Sequence, residues 1–562
     1  MIRVEQVSFW YPEQEKPTLQ DITFSVNTGE FIVLCGQSGS GKSTLLRHLK
    51  KEQFPYGDGK GEVYIQGQRL QEMEDAESSQ WIGYVGQSVE GQLVTDKVWH
   101  ELAFGLENFG VSRREIQTRV AEIAEYFGIS NWFKKNVNEL SGGQQQILSL
   151  AAVMVMQPKV LLLDEPTAQL DPIGAERFLQ TVKKLNEDFG ITVILSEQRL
   201  EQALLLADRV MILQGGRLLG IVPPGNIPEL LLKSKNKLGK ELSVACGMPV
   251  GICMVQKALE LKKIEKGTPL TLKAGKQWLA NWCEKYQKRE TETAIQQPIA
   301  KKRKVTKREF AIVAKELEYG YEKGQNVIRD LWAKIPRGVI FAILGGNGAG
   351  KSTALKLFCD IYRSKHGKLK VNGKAVYLPQ NPKLLFSELT VEEELAEVLL
   401  YEEYYKENQE KQLEVVERML QKLDIVEQRE CNPMDLSGGQ AQRLAFGKIL
   451  LLEPDILCLD EPTKGLDAAY KKELARMLDE LVSKGKTIVM VSHDLSFCAQ
   501  YADYCSLLFQ GQLVECEETK QFFKKNTFYT TETRKLANAS FPDCITTEEL
   551  LRQMEAVSGG VV

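Results

Sequence analysis

One feature limits what this chain can fold into more than any other: its motifs occur twice, in the same order. GQSGSGKST at Gly36–Thr44 returns as GGNGAGKST at Gly345–Thr353, and LSGGQ at Leu140–Gln144 returns at Leu436–Gln440. LLLDEPTAQLD, ending at Asp171, returns as LCLDEPTKGLD, ending at Asp467. Two homologous domains are the economical account. The offset between equivalent residues is 309 at Lys42/Lys351 but 296 at Ser141/Ser437 and at Asp164/Asp460. From Lys42 to Gln87 is 45 positions, and from Lys351 to Gln380 only 29, so the difference falls in a β-rich arm that is trimmed in the second half.

With 562 residues, 43% hydrophobic and 26% charged, the chain has room for two or three globular domains, and its composition excludes a disordered or fibrous protein. A formal net charge of −3 gives no overall attraction for nucleic acid, and no nucleic-acid partner is expected. Eleven cysteines, among them Cys35, Cys246, Cys359 and Cys458, stand singly without a CxxC pair, which reads as reduced thiols in a cytosolic protein. The start, MIRVEQVSF, enters strand-like alternation without a basic and then apolar leader, so no secretory signal is expected. No run supplies the roughly 18 apolar residues of a spanning helix. Any membrane task would require another polypeptide to cross the bilayer.

In each half an apolar strand (EFIVLCG, VIFAILG) feeds a glycine-rich loop and then a helix (TLLRHLK, ALKLFC). Strand-length apolar runs follow, VLLLD with TVILS and ILCLD with TIVMVS, separated by helical stretches. This is an α/β pattern, a mostly parallel sheet covered by helices. The domains are placed at 1–230 and 305–525, joined by a small helical appendix and linker at 231–304 and followed by a C-terminal tail at 526–562. The basic cluster Lys301 to Arg308 fits a solvated linker, or a contact with phosphates of lipid or RNA.

The chemistry begins at the glycine-rich loops. Glycines let successive backbone N–H groups curl around phosphates, and the following helix N-terminus adds positive potential. The first loop is Gly36, Gln37, Ser38, Gly39, Ser40, Gly41, Lys42, Ser43 and Thr44; the second is Gly345, Gly346, Asn347, Gly348, Ala349, Gly350, Lys351, Ser352 and Thr353. Lys42 and Lys351 would reach the β and γ phosphates, and Ser43 and Ser352 would ligate Mg²⁺. Asp164 and Asp460, closing apolar strands, are placed to hold the same ion. Glu165 and Glu461, next in sequence, are placed to polarise an attacking water.

These motifs in this order resemble the hallmark set of the ATP-binding cassette ATPases, across both halves. The resemblance implies two P-loop NTPase domains, each with a mostly parallel sheet, a β-rich arm and a helical signature subdomain, that sandwich two ATP molecules. Site one would combine the first phosphate loop, Gln87, Asp164 and Glu165 with Ser437, Gly438, Gly439 and Gln440. Site two would combine the second loop, Gln380, Asp460 and Glu461 with Ser141, Gly142, Gly143 and Gln144. Gln87 and Gln380 join the serines and aspartates as Mg²⁺ ligands. Tyr11 and Tyr321 match the aromatic that stacks on adenine, and core packing fits them as well. Asp171 and Asp467 match the loop that couples the sites. His493 in VSHDL matches the switch histidine; its counterpart is Gln198 in LSEQRL, which cannot carry a proton or a charge. Site one is therefore expected to hydrolyse more slowly. Arg443 in LSGGQAQR is likewise replaced by Ile147 in LSGGQQQI.

VGQSVEGQLVTDKVWHELAFGLENFG, LPQNPKLLFSELTVEEEL, SEQRLEQALLLADRV and FPDCITTEELL resemble the fused double ATPase of energy-coupling-factor (cobalt and vitamin type) importers. That implies a peripheral protein at the cytoplasmic membrane face, working with a transmembrane coupling protein and a small substrate-capturing membrane protein. The cargo would be a vitamin, a vitamin precursor, cobalt or nickel. Helices near Gln87–Phe109 and Gln380–Leu395 would form the grooves for the coupler. Val94, Val98, Trp99, Leu102 and Phe104 fit such a docking surface or a buried helix face. A different class, a soluble twin-cassette ATPase acting on ribosomes, typically carries a long charged helical hairpin as its linker. Here GMPVGICM, GTPL, Trp278 and Trp282 interrupt one.

Overall fold

The computed structural model describes residues 1–12, 14–87, 91–238, 247–286, 309–322, 325–346, 348–400 and 408–558. Asn347 and the Lys301–Arg308 cluster lie outside the described residues. The chain divides into two compact units, Met1–Tyr286 and Gln287–Val562.

The first unit is built on a six-stranded sheet in the order Arg217–Val222, Arg209–Gln214, Phe31–Gly36, Thr192–Ser196, Val160–Asp164, Ile82–Val85. Every neighbouring pair is parallel except the first, a hairpin. VLLLD and TVILS are buried at every position, as strands covered on both faces must be. The antiparallel arm runs Leu19–Val26, Ile2–Trp10, Asp58–Ile65 and Gln68–Arg69, and its first two strands are buried on near-alternate residues and pack one face inward. Helices Val98–Asn108, Arg113–Tyr126 and Gly142–Met154 enclose a separate apolar cluster that includes Val98, Leu102, Val120 and Leu148. After the hairpin, Ile227, Leu231, Met248 and Ile252 join the main core. The helix Leu272–Tyr286 buries Trp282, whose Nε1 donates to the Lys263 carbonyl at 2.9 Å.

The second unit repeats the sheet: Ala375–Leu378, Ile456–Asp460, Thr487–Val491, Ile340–Leu344, Tyr504–Phe509, Gln512–Glu518. Its arm has three strands instead of four. The missing length is the short strand Gln68–Arg69 and the helix Asp75–Trp81; His366–Val371 leads almost at once into Ala375–Leu378. Residues after 525 form two further helices, Glu532–Ala537 and Thr547–Val557, the latter opened by a capping box between Thr546 and Glu549. Ile545 joins the core cluster that holds Phe522 and Phe523.

Candidate nucleotide sites

In both sheets the functional side chains stand at the carboxyl ends of the parallel strands, where ligands bind in open α/β folds. The phosphate loops explain their glycines. A Cβ on Gly36 would lie 2.3 Å from the Leu213 carbonyl oxygen, and one on Gly345 would lie 2.4 Å from that of Leu508. Gly41 and Gly350, which cap helices Lys42–His48 and Lys351–Phe358, have φ of 96° and 101°, reachable without strain only by glycine. The loop then folds over its own lysine. Lys42 Nζ donates to the carbonyls of Gly36 (3.0 Å) and Gln37 (3.3 Å), and Lys351 Nζ to those of Gly345 and Gly346 (both 3.0 Å). Tyr11 OH lies 3.2 Å from Thr44 Oγ1, and Tyr321 OH 3.0 Å from Thr353 Oγ1, so each tyrosine is tied to the end of its loop. Tyr321 is exposed and Tyr11 half-buried. Ser43 and Ser352, each next to its lysine, are half-buried.

Across from the loops, the acidic pairs close their strands in a shared geometry. Glu165 has φ 46° and Glu461 φ 50°, left-handed conformations that cost a non-glycine residue on the order of 1 kcal/mol or more. The same outlier at the same place in both units marks a constrained position. The aspartates are held by residues that sequence reading missed. Tyr84 OH donates to Asp164 Oδ2 at 3.2 Å, and Tyr377 OH to Asp460 Oδ2 at 2.8 Å. Each tyrosine stands three residues before the expected glutamine, a match that aligning the two halves would have exposed. Ser196 Oγ donates to Asp164 Oδ1 at 2.7 Å. Its counterpart is Val491, and Asp460 Oδ1 is buried without a hydrogen-bond partner.

The glutamates differ more. Lys42 Nζ lies 3.3 Å from Glu165 Oε1, Gln198 Nε2 donates to Oε2 at 2.7 Å, and Gln87 Nε2 to Oε2 at 3.4 Å. In the second unit, Lys351 Nζ reaches His493 Nε2 at 3.1 Å instead. Glu461 Oε2 accepts from the His493 backbone N–H at 3.1 Å; its Oε1 lies 3.3 Å from His493 Nε2 without hydrogen-bond geometry. Burial outweighs these partners and pushes the Glu461 carboxyl up to about 7. Burial also lowers the Lys351 ammonium from its ordinary range. Gln380 stands exposed beyond its strand.

The residue before each switch position also differs. Glu197, fully buried, accepts from Thr167 Oγ1 at 2.6 Å and from the backbone N–H of Gln198 at 2.9 Å, and burial raises its carboxyl above the usual range. In the second unit Ser492 Oγ lies 3.2 Å from Thr463 Oγ1 at the corresponding place.

The LSGGQ motifs open helices Gly142–Met154 and Gly438–Leu451. Ser141 and Ser437 are exposed N-caps, each in a capping box with Gln144 or Gln440. A Cβ on Gly142, Gly438 or Gly439 would meet nothing within 4 Å, and one on Gly143 only Leu170 Cδ2 at 3.8 Å. Packing within a unit therefore does not demand these glycines. Asp171 and Asp467 cap the next helices, accepting from the backbone N–H of Gly174 and of Tyr470, both at 2.7 Å. Arg443 donates to the Leu423 and Asp424 carbonyls and lies over the Tyr470 ring at 4.6 Å; Ile147 packs against the apolar core of the first unit instead.

The donor set fits a magnesium–triphosphate complex. A hydroxyl residue follows each lysine in sequence, Asp460 keeps a buried oxygen open, and no group of three or more His, Cys, Asp or Glu forms an all-protein cage among the described residues. Magnesium characteristically binds through one or two carboxylates plus phosphate and water. Each unit thus repeats a glycine-rich phosphate loop with its lysine and, at the end of a neighbouring strand, an adjacent aspartate and glutamate, the arrangement of a tandem P-loop nucleoside triphosphatase. A family profile described as ABC transporter matches residues 19–168 and 328–464. The chain is 39% identical over 97% of both lengths to a protein of Bacillus thuringiensis subsp. konkukian (strain 97-27) that is provisionally named an ABC transporter ATP-binding protein. Among solved structures, an archaeal ribosome recycling factor, aABCE1, determined with the ribosomal stalk protein aP1, aligns with a TM-score of 0.56 at 20% identity, over 92% of this chain and 91% of that one. CbiO1 of Clostridium perfringens, described as part of the transporter complex cbiONQ, aligns with a TM-score of 0.36 at 25% identity, over 44% of this chain and all of that one. The chain belongs to the ABC transporter family as a twin-cassette ATPase, and its nucleotide and metal are ATP and Mg²⁺.

Proposed function

We propose that this ATPase energises import of a micronutrient (a vitamin, a vitamin precursor, cobalt or nickel) as the double-cassette subunit of an energy-coupling-factor complex. It would bind a transmembrane coupling protein and a small substrate-capturing membrane protein from the cytoplasmic face. No helix among the described residues is long and apolar enough to cross a membrane, so the crossing falls to those partners. The observation that carries this reading lies after Gln87 and Gln380. Val94 is 67% exposed and Trp99 41% in the first unit, and Leu384 and Leu389 are each 75% exposed at the corresponding stretch of the second. Val98 and Leu102 are fully buried and Phe104 is half-buried, so the helix Val98–Asn108 both anchors the surface and presents it. Apolar side chains repeated at one place in both units suit a partner that grips both.

At the nucleotides, the phosphate loops cradle the triphosphate, Lys42 and Lys351 meet the β and γ oxygens, and Glu165 and Glu461 draw a proton from the attacking water. Mg²⁺, when bound, neutralises phosphate charge; Ser43 with Asp164 and Ser352 with Asp460 would hold it, with Gln87 and Gln380 nearby. The signature helix starts at Ser141–Gln144 and Ser437–Gln440 offer hydroxyl and N–H donors to the nucleotide of the opposite cassette, which accounts for glycines that no local packing requires. Tyr11 and Tyr321 take the adenine. Purification of the tagged protein from its native cell in mild detergent tests the reading. Small membrane proteins in fixed stoichiometry support it; ribosomes without membrane protein overturn it.

A further inference from the structure

Asp164 and Asp460 occupy equivalent places, yet their carboxylates differ by one hydrogen-bond donor. The register is the same in both sheets: Asp164 pairs with Ser196 across parallel strands, and Asp460 pairs with Val491. Ser196 is fully buried. Its hydroxyl donates to Asp164 Oδ1 at 2.7 Å and accepts from the Glu165 backbone N–H at 2.9 Å, bridging the two acidic residues. With Tyr84 on Oδ2, both oxygens of Asp164 have a directed donor. Asp460 has Tyr377 alone, and Val491 offers only methyl groups to the other oxygen.

A structural role would make the Ser196 hydroxyl a brace for the strained turn at Glu165. The second unit is an internal control against that. There Glu461 keeps the same left-handed backbone, held by its N–H to the Val491 carbonyl at 3.0 Å, with no hydroxyl present. In the first unit the Glu165 N–H already has the Ser196 carbonyl at 3.1 Å. The turn therefore does not require the hydroxyl. What the hydroxyl adds is a fixed orientation for the carboxylate.

We propose that Ser196 is a positioning residue for the metal-binding Asp164, and that Val491 withholds this support from Asp460, so the first cassette binds the metal–nucleotide complex more tightly than the second. The inference rests on the reading of Asp164 and Asp460 as the metal-binding aspartates. Partners that orient a metal-binding carboxylate are typically worth 10- to 100-fold in metal affinity. The asymmetry lies two residues from the Gln198/His493 difference, and the two have the same sense: a cassette built to hold beside one built to turn over.

The test uses the full-length protein with Lys351→Ala, which silences the second phosphate loop, and Mn²⁺ in place of Mg²⁺ with ADP. Bound Mn²⁺ is read by electron paramagnetic resonance, and metal-free ADP binding by fluorescence of a labelled analogue. Ser196→Ala should weaken Mn²⁺ binding about tenfold while leaving metal-free ADP affinity unchanged, and Ser196→Thr should restore it. Unchanged Mn²⁺ affinity in Ser196→Ala overturns the proposal. Asp164→Asn separates the two levels: if it too leaves Mn²⁺ binding unaltered, the reading of the site fails rather than the role of Ser196. Should Ser196→Ala fail to fold, Val491→Ser in a Lys42→Ala background decides, with about tenfold tighter Mn²⁺ binding expected and no change overturning the proposal.

Discussion

Lys448→Met would strand a charge inside the second cassette. Glu394 is fully buried and accepts an ion-paired hydrogen bond from Lys448, whose ammonium also donates to Glu397 and to the Leu385 carbonyl, both at 2.8 Å. Glu394 also accepts from the backbone N–H groups of Ser387 and of Glu388, the latter at 2.6 Å, so the cluster pins the loop after Gln380 to the signature helix. Removing one partner of a buried pair costs about 3–5 kcal/mol. The low end applies here, because Glu394 keeps two amide donors. Glu101 of the first cassette stands on two such donors alone, from Val94 (3.1 Å) and Thr95 (2.8 Å), with Ala152 at the lysine's place. At about 3 kcal/mol, and about 2–4 °C per kcal/mol for a unit of this size, the transition should fall by roughly 6–12 °C. Differential scanning calorimetry of the whole chain checks it, since the first unit's transition should stay in place. Adding Glu394→Gln should recover a large part of the loss by removing the unpaired charge. A shift below about 3 °C, or no recovery in the double variant, would refute a load on this ion pair.

Three further outcomes follow from the sites. Glu461→Gln should remove most steady-state ATP hydrolysis and Glu165→Gln the lesser part, because the first site has Gln198 where the second has His493; the opposite order would reverse the assignment of the turnover site. Gly438→Ala should leave the stability of the second unit within about 0.5 kcal/mol of the parent, since its Cβ meets nothing, while lowering hydrolysis severalfold; unchanged hydrolysis would remove the signature helix from the nucleotide. His48, buried with its Nδ1 bonded to the Thr44 carbonyl at 2.8 Å, is held by burial below its ordinary value of 6.5. A depressed histidine contributes stability above its unfolded value and loses it as pH falls, so the first unit should weaken below about pH 6.5, and His48→Gln should flatten that dependence.

Much of the site was legible because its chemistry sits in contiguous motifs. Lysine, aspartate and glutamate are fixed by the phosphate loop and the strand end, and those local signals return in each half. What stayed hidden depends on neighbours distant in the chain. Ser196 lies beside Asp164 only because two strands pair in register, and Tyr84 reaches the same aspartate from 80 residues away. The apolar stripe at Val94–Phe104 left docking and burial equally open; the structure buries Val98 and Leu102 and leaves Val94 and Trp99 exposed. Ile147 showed as a missing base, but what Arg443 does in its place, tying Asp424 to the face of Tyr470, required the fold. The helices after residue 525 carry capping residues and helical spacing in sequence, yet their attachment through Ile545 to the second core is a tertiary fact.

The left-handed backbone at Glu165 and Glu461 sets durability against catalysis at one atom's remove. Glycine at either position would relieve a backbone strain of about 1 kcal/mol, and in the same stroke delete the carboxylate proposed to draw the proton from water together with its contacts to Lys42 and Gln198 or to the His493 N–H. A library selected for heat resistance alone would drift toward an enzyme that keeps its shape, grips its nucleotide and no longer releases the phosphate. Both cassettes retain the costlier residue, and each carries a strained turn at the end of its own strand.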